Sequence, residues 1–100
     1  MMRFLLLSGS FVFLSLPAFS AGITENACLR SERSPGREIC SCAQNVADQM
    51  LSTADQRNAA KIIAEPDIYL EYKYASGVDK QNFLERYRAW GETTAQYCAK

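Results

Sequence analysis

Two cysteines, Cys40 and Cys42, are separated by a single residue, Ser41. Such a pair can serve as a metal clamp, as a redox couple, or as two halves of different disulfide bridges. The surrounding stretch EICSCAQNVADQM has a helical pattern, and two steps along a helix are a rotation of about 200°. A bond between the two cysteines would break the helix, because a disulfide needs its Cβ atoms close together. A two-thiolate clamp fails for the same reason, so each cysteine is expected to pair elsewhere.

The remaining cysteines, Cys28 and Cys98, are the available partners. Two pairings stay open: Cys28–Cys40 with Cys42–Cys98, or Cys28–Cys42 with Cys40–Cys98. The first is preferred, although the helical wheel does not separate them. Either pairing makes the central helix the attachment point for both ends of the domain. Loop-closure entropy predicts about 3 kcal/mol for the shorter bridge and about 4 kcal/mol for the longer one.

The N-terminal segment predicts export. Arg3 precedes an apolar run, and Ala18 and Ser20 place small residues at the −3 and −1 positions of a cleavage site. This is the layout of a secretory signal peptide, and the run is shorter than the roughly 20 residues of a membrane span. Residues 1–20 are expected to be removed, leaving residues 21–100 as a single helical domain without a membrane span. The expected location is periplasmic or secreted, where four cysteines form two disulfides.

Composition excludes several kinds of chemistry. The chain has no histidine, so Ser/His/Asp and Cys/His arrangements are impossible and the commonest metal ligand is missing. Its formal net charge is +0, and the charge signs alternate, so nucleic acid and anionic membranes are not expected partners. Glu65, Asp67 and Glu71 could serve as catalytic carboxylates, but a solvated turn is favoured. No catalytic site, metal site or cofactor is predicted.

Helix start and stop signals along the chain predict an all-α fold, a small disulfide-stapled bundle of four to five short helices. The expected helices are Glu25–Ser31, Pro35–Leu51, Ala54–Ala64, Ile68–Tyr74 and Lys80–Ala99. Thr24, Ser34 and Asp79 are the expected helix starts, and Thr53 with Gln56 fits a capping box. The stretch from Ile68 to Tyr74 also alternates like a strand, but a helix is favoured because a single strand has no partner in this chain.

Apolar spacing predicts the buried faces. On the second helix the expected core stripe is Ile39, Ala43, Val46 and Met50, extended on one side by Ala47 and Leu51. The expected solvent face is Ser41, Gln44, Asn45 and Asp48. On the last helix a buried row is expected at Phe83, Leu84, Tyr87, Trp90, Gly91, Thr94, Tyr97 and Cys98. Gly91 is expected to mark a close helix approach beside Trp90.

The cysteine frame resembles that of a group of small helical exported bacterial proteins. They share Cys…Cys-x-Cys…Cys behind a signal peptide, here Cys28, Cys40, Cys42 and Cys98. The resemblance implies the fold but no activity. Copper chaperones can also use a Cys-x-Cys pair but usually add His or Met ligands, whereas the only methionine of the mature chain is Met50.

Taken together, these features predict a non-catalytic binding or accessory protein of the bacterial cell envelope, with an unknown protein partner. Tyr69, Tyr72 and Tyr74 are a possible contact surface if exposed; alternatively they pack under the last helix. The alternative function is a thiol-redox or metal-handling protein using Cys40 and Cys42, which requires free or labile thiols.

Overall fold

The computed structural model describes residues 22–99, so the predicted signal peptide lies outside the described residues. The described chain is all-α, as predicted, with no strand in this range. Its five helices are α1 (Ile23–Arg30), α2 (Arg37–Met50), α3 (Thr53–Ala64), α4 (Ile68–Tyr74) and α5 (Val78–Cys98). The preference for a helix at Ile68–Tyr74 is confirmed, since this stretch forms α4 in full.

Two of the helix ends follow simple sequence signals. Ser52 precedes α3, and its hydroxyl accepts a hydrogen bond from the Asp55 backbone N–H at 3.0 Å. Because the residue before a proline is pushed out of the helical region, α3 ends at Ala64, two residues before Pro66. The predicted capping box of Thr53 with Gln56 is wrong by one residue, because Ser52 supplies the cap.

The starts of the other helices differ from the predictions. Thr24 does not cap α1, because it lies inside the helix, where it is buried. The second helix begins at Arg37 and not at Pro35, since Gly36 precedes it with a φ of 105°, which favours glycine. Likewise α5 begins at Val78, directly after a glycine, so Asp79 lies in its first turn. These starts depend on backbone angles and tertiary contacts.

The core lies between α2, α3 and α5, with α4 along its side. It is built from Ala43, Ala47, Leu51, Ala59, Ile62, Phe83, Leu84 and Trp90. Small alanines on α2 and α3 face large side chains on α5, so the helices can approach closely. The indole N–H of Trp90 donates to the Ala43 carbonyl at 3.0 Å, which satisfies a polar group buried with the ring.

An aromatic row joins α4 to α5. The ring centroids of Tyr72 and Phe83 lie 5.3 Å apart, those of Phe83 and Tyr87 5.8 Å apart, and those of Tyr87 and Trp90 5.7 Å apart. These tilted contacts confirm the first half of the predicted row. Beyond Trp90 the row is confirmed only in part, because Thr94 and Cys98 are half-buried whereas Gly91 is exposed and Tyr97 is 68% exposed.

The predicted close approach at Gly91 is also wrong. A Cβ added there would meet no heavy atom within 4 Å. After Trp90, α5 has no fully buried residue, but Thr94 is half-buried with its hydroxyl enclosed, and Cys98 bonds the end of the helix to α2.

The predicted stripe of α2 is confirmed at Ala43, Ala47, Leu51 and Val46, but the buried face is wider than predicted on one side and excludes Met50. Its buried residues are Cys40, Ala43, Gln44 and Ala47, whereas Met50 is exposed. The reason is that α2 has neighbours on two sides, with α1 and α3 covering the face on which Gln44 lies. The apolar spacing of one helix cannot indicate a second neighbouring helix that packs against its polar side chains.

Candidate functional site

The two central cysteines belong to different bridges. Cys28 is bonded to Cys40 with a Cα–Cα distance of 5.6 Å, and Cys42 is bonded to Cys98 with a Cα–Cα distance of 5.8 Å. This is the preferred pairing of the two that were open, and no cysteine is free. The second helix is therefore attached to both α1 and the end of α5. Bridges of this kind indicate an oxidising, extracytoplasmic compartment.

The carboxylates proposed as catalytic candidates do not form a site. Glu65, Asp67 and Glu71 are all exposed around the turn into α4. Within residues 22–99, no group of three or more cysteine, aspartate or glutamate side chains is placed to hold a metal ion.

One carboxylate, that of Asp55, has a structural role instead. Arg86 Nε donates to Asp55 Oδ2 at 2.6 Å, and Arg86 Nη2 donates to Asp55 Oδ1 at 3.1 Å. This two-bonded pair joins α3 to α5, and the hydrogen bond to Asp55 raises the pKa of the Arg86 guanidinium. The two residues are 31 apart in sequence, so no local pattern could have indicated the pair.

A buried amide cluster holds α1, α2 and α3 together. The Gln44 Oε1 atom accepts from the Thr24 hydroxyl at 2.7 Å and from the Glu25 backbone N–H at 2.8 Å. Its Nε2 atom donates to Asp48 Oδ1 and to Gln56 Oε1, both at 2.8 Å. All four hydrogen-bonding positions of the Gln44 amide are used, although the side chain is only 7% exposed. The prediction that Gln44 faces solvent is wrong.

The start of α1 depends on the same amide. Gln44 takes the place of an N-cap side chain for α1, because it accepts the backbone N–H of Glu25. Gly22 lies against the Gln44 side chain so closely that a Cβ at this position would overlap it. These contacts leave the Gln44 amide no hydrogen-bonding position with which to bind a ligand.

The three candidate tyrosines lie in different environments. The rings of Tyr69 and Tyr72 are half-buried against α5, and the Tyr69 hydroxyl accepts a hydrogen bond from Arg88 at 3.1 Å. Tyr74 is 75% exposed. Of the three, only Tyr74 presents most of its ring to solvent, so the alternative that they pack under the last helix holds for the other two.

Tyr74 belongs to an exposed apolar surface at the junction of α4 and α5. Leu70 lies one helical turn before it and is 49% exposed, and Val78, the first residue of α5, is 72% exposed. We call Leu70, Tyr74 and Val78 the apolar corner. Sequence reasoning missed Val78, because nothing in its neighbourhood distinguishes an exposed valine from a buried one.

The backbone beneath the apolar corner is tied to α5. The Gln81 side-chain amide lies 3.2 Å from the Tyr72 carbonyl, 3.3 Å from that of Lys73 and 3.2 Å from that of Ala75, and donates to all three. These are carbonyls at the end of α4, where helical partners run out; that of Tyr72 also accepts the Ala75 backbone N–H at 3.3 Å. Gln81 therefore links the end of α4 to the first turn of α5, beneath the corner.

A groove of about 910 Å³ runs between α1 and α3 on another part of the molecule. Its apolar lining includes Ile23 and Ala27 on α1 and Ala60 and Ile63 on α3. We call it the α1–α3 groove. Sequence reasoning did not predict it, because it results from the way α1 is bonded to α2 and laid against α3.

The described residues contain no helix with the length and apolar character needed to cross a membrane. Comparison with known proteins adds no family assignment: neither a protein-family model, nor a curated protein, nor a solved structure matches the chain.

Proposed function

We propose that the protein is a non-catalytic binding or accessory protein of the bacterial cell envelope, and that the apolar corner contacts a protein partner. The observation that carries the proposal is the exposure of three large apolar side chains, Leu70, Tyr74 and Val78, within a stretch of nine residues. Scattered single apolar residues on a surface need no explanation, but a local group indicates an interaction site.

Rigidity supports a protein partner. Disulfides bond α1 and the end of α5 to α2, and Gln81 binds the carbonyls at the end of α4. The corner is therefore already ordered before a partner binds. Preorganised surfaces lose less conformational entropy on association. Tyrosine is enriched at protein interfaces because its ring supplies apolar area while its hydroxyl remains able to hydrogen-bond.

Photo-crosslinking tests the partner surface. A photoreactive amino acid replaces Tyr74 in one variant and Tyr97 in a control, because Tyr97 is also exposed but lies near the other end of α5. After irradiation in intact cells, the Tyr74 variant should give a discrete adduct with another protein, and the Tyr97 variant should not. Adducts of equal yield from both positions, or none from either, would contradict the proposed surface.

Substitution of residues in the apolar corner is a second test of the partner surface. Tyr74→Ser with Val78→Ser should abolish capture of the crosslinked protein by the purified chain, whereas Tyr97→Ser should leave capture unchanged. Neither side chain of the double variant is buried, so the fold should survive, which far-ultraviolet circular dichroism checks. Unchanged capture by a folded double variant would show that the corner is not the contact surface.

Export is part of the proposed function. The bridges require an oxidising compartment, and we propose that the chain reaches the periplasm or the medium after a cut following Ser20. Amino-terminal sequencing of the exported protein should therefore begin at Ala21. Exported protein that still begins at Met1 would contradict the signal peptide.

A further inference from the structure

The α1–α3 groove combines a hydrocarbon surface with free positive charge. On α1, Ile23, Ala27 and Arg30 follow a spacing of four and three residues, so the same face changes from apolar to cationic along the helix. On α3, Ala60 and Ile63 supply apolar surface and Lys61 lies beside them. Alanine side chains keep the floor open, because they fill little of the space between the helices.

The cations around the groove are not neutralised by the fold. Arg30, Arg33 and Lys61 line it together with one carboxylate, Glu32, so three positive charges and one negative charge leave a surplus of two. Within residues 22–99, the ion pair that forms is between Asp55 and Arg86, and none of the three groove cations takes part in one. The groove therefore has positive charge available for a ligand.

We propose that this groove binds a single-chain amphiphile with an anionic head group, of the long-chain carboxylate type. The hydrocarbon chain would cover the floor of Ile23, Ala27, Ala60 and Ile63, and the carboxylate would meet the cations. A volume of about 910 Å³ falls in the range of about 300 to 1,000 Å³ that is usual for small-molecule sites. The apolar corner, which lies on α4 and the start of α5, plays no part in this second site.

Titration calorimetry with dodecanoate, below its micelle concentration, tests the proposal on the oxidised protein. Binding should saturate at one molecule per chain. Replacing two groove cations, Arg33→Gln with Lys61→Gln, should weaken binding about tenfold, since exposed charge pairs contribute up to about 1 kcal/mol each. The control, Arg37→Gln with Arg57→Gln, removes two exposed charges outside the groove and should change affinity less than about twofold.

A pair of tryptophan variants tests the location independently of charge. Ala64→Trp should fill the groove and weaken dodecanoate binding at least tenfold, because Ala64 lines it and is exposed. Ala54→Trp, at an exposed position of the same helix outside the groove, should have no effect. Melting curves check that both variants fold.

Three results would overturn the proposal: no saturable binding, equal binding of the uncharged dodecyl glucoside, or equal weakening by the groove and control variants. Each of these results concerns the groove alone. A crosslinked partner at Tyr74 would stand whatever the calorimetry gives, so the two proposals fail separately.

Discussion

Gln44 of α2 donates a hydrogen bond to Gln56 of α3 at 2.8 Å, in a position where both amides are buried. The same Gln44 amide accepts from Thr24 and from the backbone of Glu25, so one side chain connects three helices. In this small domain the α1 helix is held by a disulfide, by packing and by a single amide. We therefore expect loss of the Gln44 amide to weaken the attachment of α1 to the rest of the domain.

Replacing Gln44 with leucine should therefore be strongly destabilising. The substitution keeps the volume but removes the hydrogen-bond partner of the Thr24 hydroxyl, of the Glu25 N–H and of the Gln56 Oε1 atom. We expect the free energy of unfolding to fall by about 3 kcal/mol, because buried unsatisfied groups each cost about 1 to 3 kcal/mol. Urea unfolding measures it. The control is Asn45→Leu, an exposed neighbour on α2, which should change stability by less than about 0.5 kcal/mol.

Gly22 provides a coupled test of the same cluster. Gly22→Ala should cost about 1 to 3 kcal/mol, because the Gln44 side chain can yield to the new Cβ only by losing its hydrogen bonds. In a Gln44→Ala background the overlap disappears, so the added cost of Gly22→Ala should vanish. Additive effects of the two substitutions would show that Gly22 and Gln44 are not in contact.

Two glycines should respond to alanine with opposite signs. Gly36 has a φ of 105°, which an L side chain rarely adopts, so Gly36→Ala should lower the free energy of unfolding by about 1 to 2 kcal/mol. Gly91 lies inside α5, where a Cβ meets no neighbour, so Gly91→Ala should raise it by about 1 kcal/mol. Thermal melting of the two variants checks both signs. Stabilisation by Gly36→Ala would contradict the described start of α2.

The two bridges should protect different parts of the chain. After Trp90 the residues of α5 are at most half-buried, so the bond from Cys98 to Cys42 is the covalent attachment of the last turns. In a Cys42→Ala/Cys98→Ala variant, amide hydrogen exchange should accelerate throughout residues 91–98. The Cys28→Ala/Cys40→Ala variant, with its longer-range bridge intact, should keep those amides protected. Equal loss of protection in both variants would mean that the end of α5 is not held locally by its bridge.

Stability should fall at alkaline pH because of Tyr87. Burial raises the pKa of the Tyr87 phenol above its ordinary value of 10.0, with a smaller contribution from Tyr69. The unfolded chain therefore ionises first, so the stabilising contribution is complete below about pH 10 and is lost as the pH rises through the raised pKa. Tyr87→Phe should reduce this loss between about pH 9 and about pH 11. Tyr97→Phe, at an exposed position, should not change the melting profile.

Sequence patterns correctly predicted the features that depend on residue spacing along a helix and on the backbone preferences of single residues. The all-α fold, the helix at Ile68–Tyr74, the end of α3 before Pro66 and the aromatic core from Phe83 to Trp90 all follow from spacing and proline or cysteine geometry. The 200° separation of Cys40 and Cys42 likewise placed them in different bridges.

Features that arise from contacts between distant elements were not predictable in this way. Gln44 was expected to face solvent because its contact Thr24, on the covering helix α1, lies 20 residues away in sequence. Asp55 and Arg86 are 31 residues apart in sequence, and only the packing of α3 on α5 brings them together. The apolar corner and the α1–α3 groove have the same origin, since both lie where two helices meet.

The most direct test of the central claim is disulfide mapping of the exported protein without reduction. Trypsin cannot cut between Cys40 and Cys42, because only Ser41 separates them, so the digest must be fragmented across Ser41 by electron transfer. We predict a three-peptide cluster in which the Cys28 peptide is bonded to Cys40 and the Cys98 peptide to Cys42. A bond between Cys40 and Cys42, with a separate Cys28–Cys98 pair, or four alkylated thiols, would contradict the stapled scaffold and favour redox or metal chemistry at this pair.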